Sequence, residues 1–461
     1  MRVLLIHPPT SYALKSVLNI SSPPLGLAYL ASTIRNEGFD VRIIDCPAED
    51  LSLLELGMRI KQYDPDVVGI TATTPAIPDA YRVAELAKKI NPNIIVVMGG
   101  PHVSFTSVQT LTECPSIDVI VRGEGEETFA ELLRAMEAGG GYEDIRGITY
   151  RSGDIIKSNP PRPFIKNIDE IPIPAYDLLP MDRYTINGIR FGTIITSRGC
   201  PYNCIFCASS ALFGKIFRAH SPERVLEELR ILRYEYNIRE IEFLDDTFTL
   251  NPRRAREISK KIIEEDLDIS WSASSRVNTF DYETGILMRK AGAHTLYFGI
   301  ESGTQKILNF IRKMITLKQS RDAVKTAKKI GFNTLGSFVI GFPIETEQDI
   351  NKTIDFSRKL NLDYAQYTIA TPFPGTYLWS YALKHNLLLT RNWRKYTAVD
   401  VVMRSFYLSP KQIKRFLIKA YVAFYLRLKY LINDIVKRKG FLALRAITGT
   451  LKSVIRRIWQ R

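Results

Sequence analysis

Three of the chain's five cysteines fall within eight residues, as Gly199-Cys200-Pro201-Tyr202-Asn203-Cys204-Ile205-Phe206-Cys207. Thiolates are the soft ligands that iron–sulfur clusters select, and a short loop carrying three of them can wrap one cuboidal cluster. Three ligands for four irons leave one iron open to an outside ligand. Structural zinc takes four protein ligands, commonly in paired C-x2-C knuckles, so the C-x3-C-x2-C spacing fits it poorly. Cys46 and Cys114 lie far away in sequence and read as ordinary buried thiols. A β-rich run, Thr193–Ser197, leads directly into Gly199 and places this loop at a strand end.

The residues before the loop divide into short apolar runs and helical patterns. Val3–Ile6, Val41–Asp45, Val67–Thr71, Ile94–Gly99 and Asp118–Arg122 are Val/Ile-rich without in/out alternation, which suits strands buried on both faces. Helical stretches near 26–37, 51–62, 79–90, 104–113 and 126–138 separate them. That alternation predicts a doubly wound parallel sheet, which takes ligands at the carboxyl ends of its strands. Small and polar residues collect there: Thr73, Gly99-Gly100-Pro101-His102 and Gly123-Glu124. Each glycine alone also suits a tight strand-to-helix turn, and a lone histidine suits a hydrogen-bonded loop; as a set they indicate a cofactor crevice. The first strand ends in His7-Pro8-Pro9 rather than G-x-G-x-x-G, and no P-loop pattern occurs, which argues against a dinucleotide or nucleoside triphosphate there.

Ile148–Tyr150 and Ile155–Lys157 flank a Ser152-Gly153-Asp154 turn and predict a hairpin. Six prolines between 160 and 180 then mark a stiff, extended connector. Beyond it, strand-like runs at 192–197, 240–244, 270–276, 295–300, 334–341 and 364–370 alternate with helical stretches, making six strand–helix units. The expected organisation is a first domain over 1–140, a hairpin and linker over 141–189, a unit of repeated strand–helix pairs over 190–385 and a basic helical region over 386–461.

The cysteine motif, with Phe206 before its last member, resembles the hallmark of the radical SAM superfamily. Pro23-Pro24-Leu25-Gly26-Leu27-Ala28-Tyr29-Leu30, Gly99–His102, Arg122–Glu126 and Gly299-Ile300-Glu301-Ser302-Gly303 extend the resemblance to its cobalamin-binding class. It implies an α/β architecture: a doubly wound, Rossmann-like domain of the cobalamin-binding type, a partial (β/α)6 barrel and a helical C-terminal region. Cys200, Cys204 and Cys207 would hold a [4Fe–4S] cluster whose open iron binds S-adenosylmethionine (SAM). Phe206, Asp246, Arg276 and Glu301 would contact SAM, while Thr73, Gly99, Gly100, His102, Gly123 and Glu124 would line the cobalamin site. The resemblance further implies an adenosyl radical that abstracts hydrogen from an unactivated carbon, for methylation or carbon–carbon bond formation. An external electron donor of the flavodoxin or ferredoxin type is implied with it. None of the five histidines follows an aspartate by two positions, so the Asp-x-His-x-x-Gly motif that supplies a cobalt ligand in many cobalamin proteins is absent.

At 461 residues, 45% hydrophobic and 24% charged, the chain is ordinary globular material, which excludes disordered, collagenous and disulfide-scaffold classes. Its net charge of +15 is unevenly placed: residues 411–461 hold fourteen Lys/Arg and one acid, leaving +2 for the rest. Over 411–439, Lys411, Arg415, Lys419, Lys429 and Lys437 share one helical face, opposite Ile413, Leu417, Phe424, Leu428, Leu431 and Ile435. That pattern suits peripheral contact with an anionic membrane, and equally a terminal helix packed on the barrel. A cytoplasmic chain, peripheral on the inner membrane face, is expected. The leading expectation is an enzyme acting on a small hydrophobic, lipid or isoprenoid substrate. A radical SAM enzyme modifying RNA or a peptide, and a non-catalytic cofactor-binding sensor, are the alternatives. Nucleic acid ranks behind lipid because no added RNA-binding module or further cluster cysteines are present.

Overall fold

The Val/Ile-rich runs of the first third become the centre of one sheet. In the computed structural model, which describes residues 1–9, 21–186 and 188–427, the chain forms two compact units, the first running to Thr185 and including Ala211–Gly214, the second taking the rest from Ile186. The first contains strands β1 (Arg2–His7), β2 (Asp40–Asp45), β3 (Val67–Thr71), β4 (Ile95–Gly99), β5 (Val119–Val121), β6 (Ile148–Ser152) and β7 (Ile155–Ser158), in the order β2-β1-β3-β4-β5-β6-β7. β1 to β5 are parallel, and the hairpin β6–β7 adds antiparallel at one edge. Helices α1 (Leu25–Asn36), α2 (Leu53–Tyr63), α3 (Ile77–Ile90), α4 (Pro101–Glu113) and α5 (Glu126–Glu137) separate the strands. Val3, Ile6, Val67, Val68, Val96 and Met98 are almost wholly buried, as expected for strands covered on both faces. Strand order reverses between β1 and β3, so the crevice at the carboxyl ends opens there.

The proline-rich stretch is extended, but it does not hang free. Ala175 N–H donates to the Ala28 carbonyl at 3.0 Å and Arg35 pairs with Asp177 at 2.6 Å. Further along, the Tyr184 hydroxyl donates to Asp45 at 2.7 Å. Proline cannot continue a ladder or helix, so the strap borrows its partners from α1 and β2.

The second unit carries six long parallel strands: β8 (Ile189–Ile194), β9 (Glu240–Phe243), β10 (Ser270–Ser275), β11 (Ala293–Glu301), β12 (Asn333–Ile340) and β13 (Tyr364–Ile369). Their spatial order follows their chain order, from β13 at one edge to β8 near the other. Helices α6 (Pro222–Arg230), α7 (Pro252–Glu264), α8 (Tyr282–Lys290), α9 (Gln305–Phe310), α10 (Leu317–Ile330), α11 (Glu347–Lys359) and α12 (Tyr377–Lys384) fall between or after them. Unlike the first sheet, these strands alternate. Ile241, Phe243, Trp271, Ala273, Leu296 and Phe298 are buried, while Glu240, Glu242, Ser274 and Tyr297 are only part-buried. An open half-barrel has one face under helices and one polar face left accessible.

Helix α13 (Pro410–Tyr425) closes the β13 edge. Its tyrosines at i and i+4 reach the same strand. Tyr421 Oη accepts from Tyr367 N–H and donates to its carbonyl, at 3.2 and 3.0 Å. Tyr425 Oη does the same for Ala365, at 3.1 and 2.9 Å. Two phenols thus satisfy the backbone groups that an edge strand leaves open. Of the two uses the sequence leaves open for this apolar face, packing on the barrel holds in the described part: Ile413, Leu417, Ala420 and Phe424 are buried, while Lys411, Arg415 and Lys419 are exposed. The remainder of the amphipathic pattern, from Leu428 onward, lies outside the described residues. Among the described residues no helix is long and apolar enough to cross a membrane.

Tyr425→Phe leaves one buried N–H and one carbonyl without a partner, and should destabilise the second unit by about 1–3 kcal/mol. Urea denaturation measures the loss, and amide exchange at Ala365 should accelerate in parallel.

Candidate active site

The cysteine loop follows the end of β8. Gly199 has φ +86°, which glycine adopts without strain, and it turns the chain outward into Cys200. Two backbone bonds hold the loop: Ile205 N–H donates to Ile311 O at 3.1 Å, and Leu378 N–H donates to Ile205 O at 2.7 Å. Cys207 feels the charges of Cys204 and Cys200, so the three thiols lie within electrostatic reach of one another. Burial raises the Cys200 thiol, where Arg276 acts in the opposite direction, while Cys207 is exposed. Thiols held protonated in this way become ligands only in exchange for a metal's positive charge. Among the described residues no group of three His, Cys, Asp or Glu side chains is arranged to hold a single metal ion. Cys46 and Cys114 are buried, and desolvation raises them to about 12 and 11, as inert thiols require.

Arg276, at the end of β10, is the central side chain of this site. It is buried, and its guanidinium lies 3.5 Å above the Tyr202 ring. Nη1 donates towards Cys204 Sγ at 3.9 Å, Nη2 to the Lys313 carbonyl at 2.5 Å, and Nε to Asn278 Oδ1 at 3.2 Å. One cation thus joins the cysteine loop, the end of β10 and the loop after α9. Beside it, the carboxylate of Glu301 accepts from Lys313 Nζ at 2.6 Å, with both side chains buried. A Cβ on Gly299 would sit 2.6 Å from Glu301 Oε1 and 2.7 Å from Lys313 Nζ, so only glycine leaves room for this ion pair. Asp246 bonds Ser209 just after the cysteine loop, and burial raises its carboxyl. Phe206 packs against Phe342 with ring centroids 5.9 Å apart. The four residues expected to meet SAM therefore all occupy strand ends or the cysteine loop of the second unit, each already engaged by a neighbour.

Three further features belong to this unit. Lys313 had no signal at all, since only folding brings it under Glu301. On the polar face of the half-barrel, Tyr297 donates to Ser272 at 3.2 Å; burial raises both Glu242 and Tyr297, the latter to about 12. Glu345 lies fully buried after β12, where one carboxyl oxygen accepts from Gly341 N–H at 2.6 Å and from Phe342 N–H at 3.1 Å. Desolvation pushes it up to about 8.

In the first unit the strand ends divide into open and engaged positions. A Cβ on Gly123 would meet nothing within 4 Å, and one on Gly99 only a carbonyl at 3.8 Å, so space lies above both. Gly123, at φ +74°, donates its N–H to Ser104 Oγ at 2.9 Å. Gly100, at φ +103°, is required for packing: a Cβ there would stand 2.8 Å from the Ala72 carbonyl. Thr73 is exposed beside the reversal of strand order. His102 is buried, bonds Thr74 at 3.2 Å and is depressed to about 4 by desolvation. Glu124 is buried and accepts from Ile165 N–H at 2.9 Å. His7, mentioned only in passing by sequence, pairs through Nδ1 with the buried Asp45 at 2.9 Å.

Comparison with known proteins agrees with both halves. Residues 14–133 match the B12 binding domain and residues 194–357 the radical SAM superfamily. An uncharacterized methyltransferase of Pyrococcus horikoshii is 58% identical over 452 residues, 98% of each chain. The anaerobic magnesium-protoporphyrin IX monomethyl ester cyclase of Rubrivivax gelatinosus is 33% identical, covering 81% of this chain and 68% of that one. Hopanoid C-3 methylase of Methylococcus capsulatus is 27% identical, covering 87% and 76%. Among solved structures, the cobalamin-dependent SAM radical enzyme OxsB with aqua-cobalamin and SAM superposes with a TM-score of 0.75 at 17% identity, over all of this chain and 80% of that one. The radical SAM methyltransferase TsrM of Kitasatospora setae gives 0.71 at 17%, over 83% and 78%. The chain belongs to the B12-binding class of the radical SAM superfamily.

Because folding raises the Glu345 carboxyl, the folded state holds its proton more tightly than the unfolded chain. Its contribution to stability is therefore complete at acid pH and is lost as pH rises from the ordinary carboxylate range through about 8. Thermal midpoints between pH 5 and 9 should fall less steeply in Glu345→Gln than in the parent.

Proposed function

We propose that this enzyme transfers a methyl group to an unactivated carbon of a small hydrophobic substrate of the lipid or isoprenoid class. The observation that carries the reading is the three-thiol loop with Arg276 against Cys204, standing at the end of an open half-barrel whose accessible face is polar. The 58% identical methyltransferase supports methyl transfer, and the hopanoid methylase supports the substrate class.

The residues fit the cofactors that this chemistry needs. Cys200, Cys204 and Cys207 would hold a [4Fe–4S] cluster, with Phe206, Asp246, Arg276 and Glu301 around SAM; Thr73, Gly99 and Gly123 would border cobalamin. When bound, these groups supply a 5′-deoxyadenosyl radical and the methyl group, which the protein's own side chains cannot. Arg276 opposes the negative charge gathered by the thiolates. Lys313 fixes the Glu301 carboxylate in one orientation, and Ser209 does so for Asp246. Gly100, His102 and Glu124 shape the first crevice from below, with Glu124 anchoring the strap. The exposed cations Lys411, Arg415 and Lys419 support a peripheral, charge-based contact with an anionic surface rather than insertion. Ring closure is the second reading, favoured by the 33% identical cyclase.

Anaerobically reconstituted protein should contain iron, sulfide and cobalt and should cleave SAM under dithionite. Cys204→Ala should abolish cleavage; a variant that retained it would overturn the assignment. A product heavier by one methylene distinguishes methyl transfer from ring closure, which removes two hydrogens.

Hydrogen bonds to cluster sulfurs tune reduction potential. Arg276→Gln should therefore lower the cluster's midpoint by about 60 mV for each 1.4 kcal/mol of charge-assisted bonding lost. Redox titration followed by electron paramagnetic resonance reads the shift.

A further inference from the structure

The two segments that hold the cysteine loop share an unusual composition. Ile311 accepts from Ile205 N–H, and Leu378 donates to its carbonyl. Around Ile311, residues 302–321 contain no Asp or Glu; around Leu378, residues 364–399 contain none either. Elsewhere the enzyme body is nearly neutral, so this absence of acids is local to the back of the loop.

Several cations of these segments are already neutralised. Lys306 pairs with Asp349, Lys313 with Glu301 and Lys318 with Asp322. Arg312 and Lys384 are exposed and, like Arg321 and Arg391 of the same segments, form no ion pair with a carboxylate among the described residues. The Arg312 guanidinium lies 4.4 Å from the Tyr377 ring centroid, which orients it without cancelling its charge. Large apolar side chains stand around them: Met314 is 69% exposed, Tyr377 51% and Phe406 49%. Arg312 and Met314 both have positive φ, at +54° and +55°. The buried Lys313 between them is held by Glu301 and by Arg276, whose Nη2 donates to its carbonyl.

Ring contacts join this surface to the cysteines. Phe206, between the second and third cysteine, packs on Phe342 at 5.9 Å. Phe342 meets Phe310 at 6.4 Å, Phe310 meets Tyr381 at 5.8 Å, and Tyr381 meets the exposed Tyr377 at 6.5 Å. Electron tunnelling falls exponentially with distance and faster through voids than through packed atoms. The rings make a continuous series of contacts from the exposed Tyr377 through the buried Phe342 to Phe206 beside the cysteines.

We infer that the surface formed by Arg312, Met314, Tyr377, Lys384 and Phe406 docks an acidic one-electron carrier protein, which delivers the electron that a radical reaction of this class consumes. The inference rests on the proposed function and adds to it the place where the reductant binds. Positive charge around an apolar centre matches the weak encounters of redox partners, which bury little area and associate by electrostatic steering. In the transfer itself, the reduced carrier loses one electron and the oxidised cluster gains it, with no bond made or broken.

The test uses the reconstituted full-length enzyme with two reductants: dithionite, which needs no docking surface, and reduced flavodoxin. Cluster reduction is followed by its visible bleaching, and SAM cleavage by product formation. In Arg312→Glu/Lys384→Glu, reduction by flavodoxin should slow about ten-fold or more at low salt, while the rate with dithionite stays at the parent's. The parent's flavodoxin rate should itself fall as sodium chloride is raised. Unchanged flavodoxin kinetics in the variant would overturn the inference, and so would equal losses with both reductants. If the parent fails to cleave SAM even with dithionite, the functional reading falls, and the docking surface with it. Lys384→Glu alone, on the exposed side of α12, gives the same readout where the double change disturbs folding.

Discussion

A guanidinium buried at a strand end must find acceptors for its fixed fork of N–H groups, because unsatisfied charge in that environment is expensive. Arg276 meets this demand by drawing three separate chain segments together. It takes the Lys313 carbonyl from the loop after α9, Asn278 from its own turn, and Cys204 with the face of Tyr202 from the cysteine loop. The position of the thiols, the carbonyl direction at Lys313 and hence the reach of its ammonium to Glu301 all follow from that single requirement. Lysine could not replace it, since one ammonium cannot stack on a ring while bonding in three directions.

The two units solve the burial problem differently, and the difference matters for chemistry. In the first, both faces of the parallel sheet are covered, which leaves the strand ends open, above Gly99 and Gly123 and beside Thr73. In the second, one face of each strand carries polar side chains, among them the part-buried Glu242 and Tyr297 and the buried Ser272. An open sheet of this kind has an edge to protect. Helix α13 protects β13 with two phenols placed one helical turn apart, each bonding both backbone groups of one residue.

Much of this was legible in the residues. The six barrel strands fell within a few positions of their expected places, because β-branched and aromatic runs bounded by Gly, Pro and Asp leave little choice of element. The cysteine loop was legible for a different reason: three soft ligands at short spacing have few uses. The strap was half legible. Its prolines dictated an extended path, but not that Ala175, Asp177 and Tyr184 would bind back to α1 and β2. The C-terminal helix was legible as amphipathic, yet periodicity could not say whether its apolar stripe met lipid or protein. Tyr421 and Tyr425 decided that for residues 410–425, because an edge strand offers them directional partners that a bilayer lacks.

The sequence by itself determined the ligand class, the succession of strands and helices, and which residues stand at strand ends, since these depend on neighbours a few positions apart. Only the tertiary structure decided which of those residues are engaged with one another: Arg276 with Cys204, Lys313 with Glu301, Glu345 with the backbone of Gly341 and Phe342. Each pair or triad joins groups whose charges or donors are satisfied only when distant segments meet. Such complementarity is a property of the folded surroundings, and no local pattern encodes it.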